Sequence, residues 1–199
     1  MPQTRIPTQK RSVEKKNKII KYGFRLMCTK GYHNTTTTDI AKKAGVSTGI
    51  IYQYFNDKKE IFIAGINIYS EHIMFPIINI FKNRSFTIAD LTDLFNKIIN
   101  EYIKNRSLTK DAHEQITAMA HLDHDIALIL KKQELKNALV IVSLLQENQI
   151  HFTNMTEKVY LIMKLISDFS QEIVFYKHEG LNYDKMREEL LRTISYTLK

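Results

Sequence analysis

Between Gly31 and Ile61 the chain reads GYHNTTTTDIAKKAGVSTGIIYQYFNDKKEI, and these side chains suit contact with a polyanion better than catalysis. Thr48, Gly49, Tyr52 and Gln53 are small, hydroxylated, phenolic or amide residues on one side of a short helical stretch. Such groups donate to phosphate oxygens and read base edges in a major groove. Gln53 has the geometry to pair bidentately with adenine, and Ile50 to meet a thymine methyl group. Thr36-Thr37-Thr38-Asp39 has capping-box spacing: the first hydroxyl caps backbone N–H groups and the acid favours a helix N-terminus. The chain carries no Ser/His/Asp set, phosphate-cradling glycine loop or paired-carboxylate motif, so neither enzyme activity nor a cofactor is expected.

Several short elements must hold these residues. Ile20, Phe24, Met27 and Cys28 line one face of a first helix, and Gly31 is placed to close it in a left-handed cap. A second helix is expected over Thr37–Ala44, ending at Gly45, whose missing Cβ permits a positive φ in a tight turn. Ser47 caps a third helix over Thr48–Tyr54, and Asn56-Asp57 restarts the chain into a fourth from Lys58. Two short helices joined by a Gly-containing turn form a helix-turn-helix, here 36–55. Ala41 meets its demand for a small residue where the helices cross. Gly45 makes the turn, and Ile51 plugs the core with Ile40 and Val46.

The 199 residues hold 29 Lys+Arg and 21 Asp+Glu, but the excess is local. Residues 1–60 carry 13 basic and 4 acidic side chains, a net of +9, and the remainder nets −1. A polyanion partner is implied for the first part and a different task for the rest. Arg5, Lys10, Arg11, Lys15, Lys16 and Lys18 read as a basic arm ahead of the first helix, able to clamp phosphates or reach a minor groove. Beyond residue 50 the only glycines are Gly65 and Gly180 and the only proline is Pro76, which argues for long helices over strands. Leu91, Leu94/Phe95, Ile98/Ile99 and Tyr102 keep helical spacing, as does Ile126–Leu145. Val159, Ile162, Ile166, Phe169, Ile173 and Tyr176 do the same on a helix opened by an Asn154–Glu157 capping box and closed by Gly180. Tyr183, Met186, Leu190, Ile194 and Thr197 mark a last one. The fold class is therefore all-α. A three-helix DNA-binding head is expected at the N-terminus, followed by a larger helical domain. The expected divisions are an arm over 1–12, a head over 13–73 and a helical domain over 74–199, to which the family resemblance named below gives effector binding and dimerisation.

A single Cys excludes an internal disulfide and fits a reducing cytoplasm. The N-terminus lacks the apolar stretch of a signal peptide. Uncharged runs such as Ile61–Ser70 and Asn137–Gln146 reach ten residues, against about 20 for a membrane span, so no membrane partner is expected.

The pattern GY-x-x-TT-x-x-DIA-x-x-AGVS-x-G-x-IY-x-YF-x-x-K resembles the N-terminal signature of the TetR family of transcriptional regulators. The resemblance covers about 60 residues once helix 1 and the start of helix 4 are included. It implies a homodimer that binds a palindromic double-stranded operator, usually repressing, and lets go when a small-molecule effector occupies the C-terminal domain. Carried over by position, Thr36 and Thr37 would meet phosphate and Thr38 would lie near the groove. Thr48, Gly49, Ile50 and Gln53 would face bases, and Tyr52, Tyr54 and Lys58 would anchor phosphates. Ile50 replaces a small polar residue and Thr37 a frequent Val, which makes readout at the first position more apolar. An alternative keeps the DNA head but drops ligand control: an architectural or cell-division factor.

His113, His121, Asp123, His124 and Asp125 cluster in sequence, and on one helix His121 and Asp125 would be an i,i+4 pair able to share a metal. No HExxH and no Cys partner accompany them, so a polar helix junction is expected and no metal. Cys28 is expected to be core. Phe95, Tyr102, Met119, His121 and Met163 are the candidate effector contacts, because effector pockets are largely apolar and lie between helices.

Overall fold

The computed structural model describes residues 10–82, 85–108 and 110–198. Among them no strand occurs. The helices are α1 (Lys10–Lys30), α2 (Thr37–Ala44), α3 (Thr48–Tyr54), α4 (Lys58–Lys82), α5 (Leu91–Leu108), α6 (Lys110–Leu122), α7 (His124–Glu147), α8 (Met155–Phe175) and α9 (Tyr183–Thr197). A 3-10 turn at Ile88–Asp90 leads into α5. The all-α expectation holds, and α2, α3 and the start of α4 fall where capping chemistry put them.

Two compact units divide the chain. The first holds the described residues up to Ser70 together with Asp111–Leu130; the second holds Glu71–Lys110 and the described chain from Lys131 onward. Thus α6 and the opening turns of α7 return to the first unit, a pairing that no local signal announces. Its core joins Ile19, Ile20 and Met27 of α1, Ile40, Ala41 and Ala44 of α2, and Ile51 and Tyr54 of α3. Ile61, Phe62 and Ile66 of α4 complete it with Ile116, Met119 and Ile126. Burying each such aliphatic or aromatic side chain contributes about 1.5–3 kcal/mol, and that drives segments of six helices to fold together. Ala41 is 3% exposed and Ile51 fully buried, as the close crossing of α2 and α3 requires.

In the second unit α5 packs chiefly on α8 and also on α9. Leu91, Leu94, Phe95, Ile98, Ile99 and Tyr102 are all buried, as are Val159, Ile162, Ile166 and Phe169. The α8 stripe stops there: Ile173 is half-buried and Tyr176 is 53% exposed. Both ends of α8 differ from expectation. Asn154 sits at φ 51°, ψ 43° and makes no side-chain cap bond; a capping side chain needs the extended backbone that this left-handed residue lacks. The helix ends at Phe175, before Gly180. The turn is tied instead by the Tyr183 hydroxyl, which accepts from the His178 N–H at 2.7 Å and donates to Glu172 at 3.1 Å.

Lys58–Phe81 is a helix long and apolar enough to cross a membrane on length and composition alone. Its first half lies in the core of the first unit, with Ile61, Phe62 and Ile66 fully buried, which accounts for the apolarity without a bilayer.

Candidate nucleic-acid interface

The N-terminus of α2 is built by Thr36. Its backbone is extended (φ −101°, ψ 160°), and its hydroxyl oxygen accepts from the Asp39 N–H at 3.1 Å. The Asp39 carboxylate accepts in return from the Thr36 N–H at 3.0 Å and hydroxyl at 2.8 Å. Lys30 donates to the same carboxylate at 3.0 Å, a partner the sequence alone did not indicate. These bonds, those of Thr36 foremost, hold the Asp39 carboxyl at a pKa of about 2. At the other end Gly45 (φ 67°) sends its N–H to Lys42 at 3.3 Å, and Val46 donates to Ala41 at 3.0 Å. That left-handed cap turns the chain toward Ser47, whose hydroxyl accepts from Ile50 N–H at 3.4 Å and opens α3.

On α3 the candidate residues do not share one environment. Gly49, Tyr52 and Gln53 are exposed, with Tyr52 at 54%, and Thr48 is half-buried. Ile50 is half-buried against the core of this unit, and Tyr54 is 6% exposed inside it. Tyr54 is therefore mainly a core ring, in contrast to the anchoring role expected from resemblance. The Tyr52 hydroxyl lies 3.2 Å from the Thr37 hydroxyl. This bond joins α3 to the first residue of α2 and brings two hydroxyls and free N-terminal amides to one surface. Thr36 and Thr38 are exposed on the same turn. A helix N-terminus with exposed hydroxyls beside it attracts phosphate.

Lys58 lies elsewhere than expected. Its ammonium donates to the carbonyls of Tyr32 at 2.7 Å, Thr35 at 2.8 Å and His33 at 3.4 Å, and sits 4.6 Å from the centre of the Tyr32 ring. Three donors meet three carbonyls, so Lys58 clamps the α1–α2 turn that delivers Thr36 instead of projecting toward a phosphate. Its neighbour Lys59 donates to Asp123 and Asp125, both at 2.8 Å. Hydrogen bonding by Lys59 lowers the Asp123 carboxyl below its usual range, and both carboxylates raise the Lys59 ammonium. Asp123 also accepts from the N–H groups of Asp125 and Ile126 at the start of α7.

The His/Asp cluster is accordingly a helix junction. His121 is on α6 and Asp125 on α7, so they do not form an i,i+4 pair, and no metal-binding group occurs among the described residues. The basic residues foreseen ahead of the first helix also change place. Lys10, Arg11, Lys15, Lys16 and Lys18 belong to α1 itself, and Arg5 lies outside the described residues. Lys16 sits 5.3 Å from the Phe55 ring centre, and Lys18 Nζ would be 3.8 Å from a Cβ on Gly45. The positive charge of α1 thus flanks both ends of α3.

Residues 19–64 match the family model for bacterial regulatory proteins of the tetR family. The match is confined to the helix-turn-helix part of the chain, which is therefore a TetR-type N-terminal domain. The HTH-type transcriptional regulator HbdR of Aromatoleum sp. (strain CIB) is 48% identical over 48 residues. That match takes in 24% of this chain and spans 21% of the relative's length. Likeness of fold extends further. A TetR-family regulator from Mesorhizobium loti has a TM-score of 0.70 at 18% identity, with 96% of each chain covered. A regulator from Saccharomonospora viridis, crystallised in complex with choline, has a TM-score of 0.63 at 18% identity over 92% of this chain and 97% of that one.

The candidate effector contacts separate. Met119 is 2% exposed in the core of the first unit, and His121 is exposed on the same unit. Phe95 is fully buried in the second unit. Tyr102 and Met163 line a common cavity, of ≈ 50 Å³, together with Glu134, Asn137, Tyr160, Lys164 and Ser167. A larger groove, of ≈ 320 Å³, opens in the second unit between α4 and α7, lined by Glu71, Met74, Phe75, Ile78, Gln133, Lys136, Asn137 and Val140. Sequence reasoning missed these residues because Glu134, Tyr160 and Lys164 look like ordinary helix-surface positions until α7 and α8 are brought together.

Proposed function

We propose that this protein is a ligand-responsive transcriptional repressor in the cytoplasm, binding a palindromic DNA operator as a homodimer and leaving it when a small molecule binds. The observation that carries the reading is the Tyr52–Thr37 bond, which fixes the exposed face of α3 against the hydroxyl-rich N-terminus of α2. Gln53 and Gly49 then face the bases, while Thr36, Thr37, Thr38 and Tyr52 meet phosphates. Thr48 and Ile50 lie at the edge of that face, Ile50 offering its methyl groups. Lys58 supports the site from behind.

Dimer formation is supported by apolar side chains left open on α8 and α9: Leu161 is 52% exposed, Met186 37% and Tyr196 68%. A two-fold dimer presents two α3 helices to half-sites about 34–36 Å apart, one turn of duplex. A ligand that prefers a different spacing of the two heads weakens both sets of contacts together. The α4–α7 groove supports the ligand-responsive part.

The test is binding to fragments of the region upstream of its own gene, across a salt series, with a scrambled duplex as control. Salt-steep binding to one palindromic fragment, two chains per site, is expected. Gln53→Ala is expected to cost about 1–3 kcal/mol and relax discrimination at one base pair. Equal affinity for the scrambled duplex would refute operator-specific regulation.

A further inference from the structure

In the second unit two helix rows face each other without meeting. On α4 the groove is lined by Glu71, Met74, Phe75 and Ile78, at i, i+3, i+4 and i+7. Residues of α7 between Gln133 and Val140 face them with the same spacing. Rows of this kind ordinarily bring two helix axes to about 8–10 Å. Here α4 and α7 do not close on one another as α5 and α8 do, and ≈ 320 Å³ stays open between them. Met74 is 4% exposed, whereas Phe75 leaves 66% of its surface open. An aromatic ring so exposed, in a concave site, is surface that an apolar ligand would remove from water. An apolar cavity of about 150 Å³ holds benzene, so the groove has room for about a dozen non-hydrogen atoms.

The charges that line the groove cancel. Glu71 and Lys136, both exposed, are one of each sign. The wall that α7 supplies is otherwise uncharged: Val140, and the carboxamides of Gln133 and Asn137, which bond to each other at 3.2 Å. The small cavity beyond Asn137 is balanced as well. Lys164 and Lys131 each donate to Glu134 at 3.1 Å, and Asp168 acts on Lys131, so two ammonium groups meet two carboxylates. The Tyr160 hydroxyl gives its proton to Glu134 at 3.0 Å. An ion leaving water for this groove would find no surplus charge to replace its hydration. A neutral molecule bears no such cost and gains the contact with Phe75.

We infer that the α4–α7 groove takes an uncharged, mainly apolar molecule of about a dozen non-hydrogen atoms, seated on Met74, Phe75 and Ile78 against the Gln133 and Asn137 carboxamides. The assignment rests on the ligand-responsive reading for its biological meaning, but binding itself is measured apart from DNA.

The experiment is calorimetric titration of the full-length protein at low salt with 2-naphthalenemethanol, 2-naphthoate and 2-naphthylmethylammonium, which share one two-ring skeleton and differ in charge. The alcohol is expected to bind at least about tenfold more tightly than either ion, and Phe75→Ser should weaken it severalfold. Unbalancing the rim should let the ions in: Glu71→Gln should improve naphthoate, and Lys136→Gln the ammonium, by about two- to fivefold. Melting curves identify any loss caused by unfolding, and the two rim variants, on exposed side chains, keep the charge argument testable if Phe75→Ser fails to fold. Either ion binding as tightly as the alcohol, alcohol binding undiminished in a folded Phe75→Ser, rim variants that leave both ions unchanged, or no binding of any of the three would each overturn the assignment. So would a Phe75→Ser chain that sediments as a smaller assembly than wild type, since the groove would then be a subunit contact. Alcohol binding that leaves operator affinity untouched would sustain the site and remove the ligand-responsive reading instead.

Discussion

Replacing Lys58 by Met separates a structural clamp from a phosphate anchor. Its ammonium gives two short hydrogen bonds, 2.7 Å to Tyr32 and 2.8 Å to Thr35, both partly buried, and a third of 3.4 Å that counts for little. A bond from a charged donor contributes about 1.5–3 kcal/mol. The Tyr32 carbonyl still accepts from the Thr35 N–H at 3.3 Å, so only part of the loss is left unsatisfied. A total of about 3 kcal/mol is reasonable, since the methionine keeps most of the stem's packing. For a chain of this size that lowers Tm by about 6–12 °C. The matching DNA measurement is the slope of log K against log salt. A lysine that neutralises no phosphate leaves the slope unchanged, though affinity falls because Thr36 and Thr37 are less firmly presented. A direct phosphate contact would instead take about 0.9 from the slope. A Tm within about 2 °C of wild type, together with that loss of slope, would refute the clamp.

Asp39 gives an acid signature: its folded pKa of about 2 is below the 3.8 of a free side chain, so its stabilisation is complete above pH 4 and lost as pH falls from 4 to 2. Urea midpoints should therefore fall over that window in the wild type and less so in Asp39→Asn, and parallel curves would disprove the link. Thr36→Ala, removing the cap, should cost about 1 kcal/mol by chemical denaturation. At Gly49 a Cβ would meet nothing nearer than the Ser47 hydroxyl at 3.9 Å, so Gly49→Ala should leave the fold at least as stable by up to about 1 kcal/mol and change operator affinity alone. An unaltered operator affinity would take Gly49 out of the interface. Burial first, and then Asp111, pushes the Cys28 thiol up to about 12. Alkylation at pH 8 should accordingly be far slower in the folded chain than in urea, and equal rates would show the thiol to be accessible and reactive.

The parts of the site legible in sequence are those fixed by local chemistry. Thr36 and Asp39 lie three residues apart and cap each other through backbone N–H groups that any helix start leaves unpaired. Gly45 is needed at a positive φ, and Ser47 caps within three residues. Each of these involves at most one turn of chain, so α2 and α3 were legible to the residue. Asn154 marks the limit even of local signals, because the αL backbone it adopts places its side chain away from the amide it was expected to cap. Met119 and Phe95 mark a different limit. A buried apolar side chain has the same periodicity whether it faces a core or a cavity, and both face cores.

Lys58 and Lys59 carry the point further. They are adjacent, of one type, and on the first turn of the same helix, yet the roughly 100° between successive residues sends one to carbonyls of the α1–α2 turn and the other to Asp123 and Asp125. No spacing rule distinguishes them, since their partners lie 23 or more residues away in one case and 64 or more in the other. The same geometry ties the start of α4 to two different places within one unit: the turn that presents Thr36 and Thr37, and the α6–α7 junction capped by Asp123. A shift of the junction would thus pull on Lys59, whose neighbour Lys58 holds the turn that presents Thr36 and Thr37, with one peptide bond separating the two clamps. The polar helix junction at Asp123 and the lysine expected to anchor a phosphate are better understood together, as the fixings that set how firmly α2 is presented.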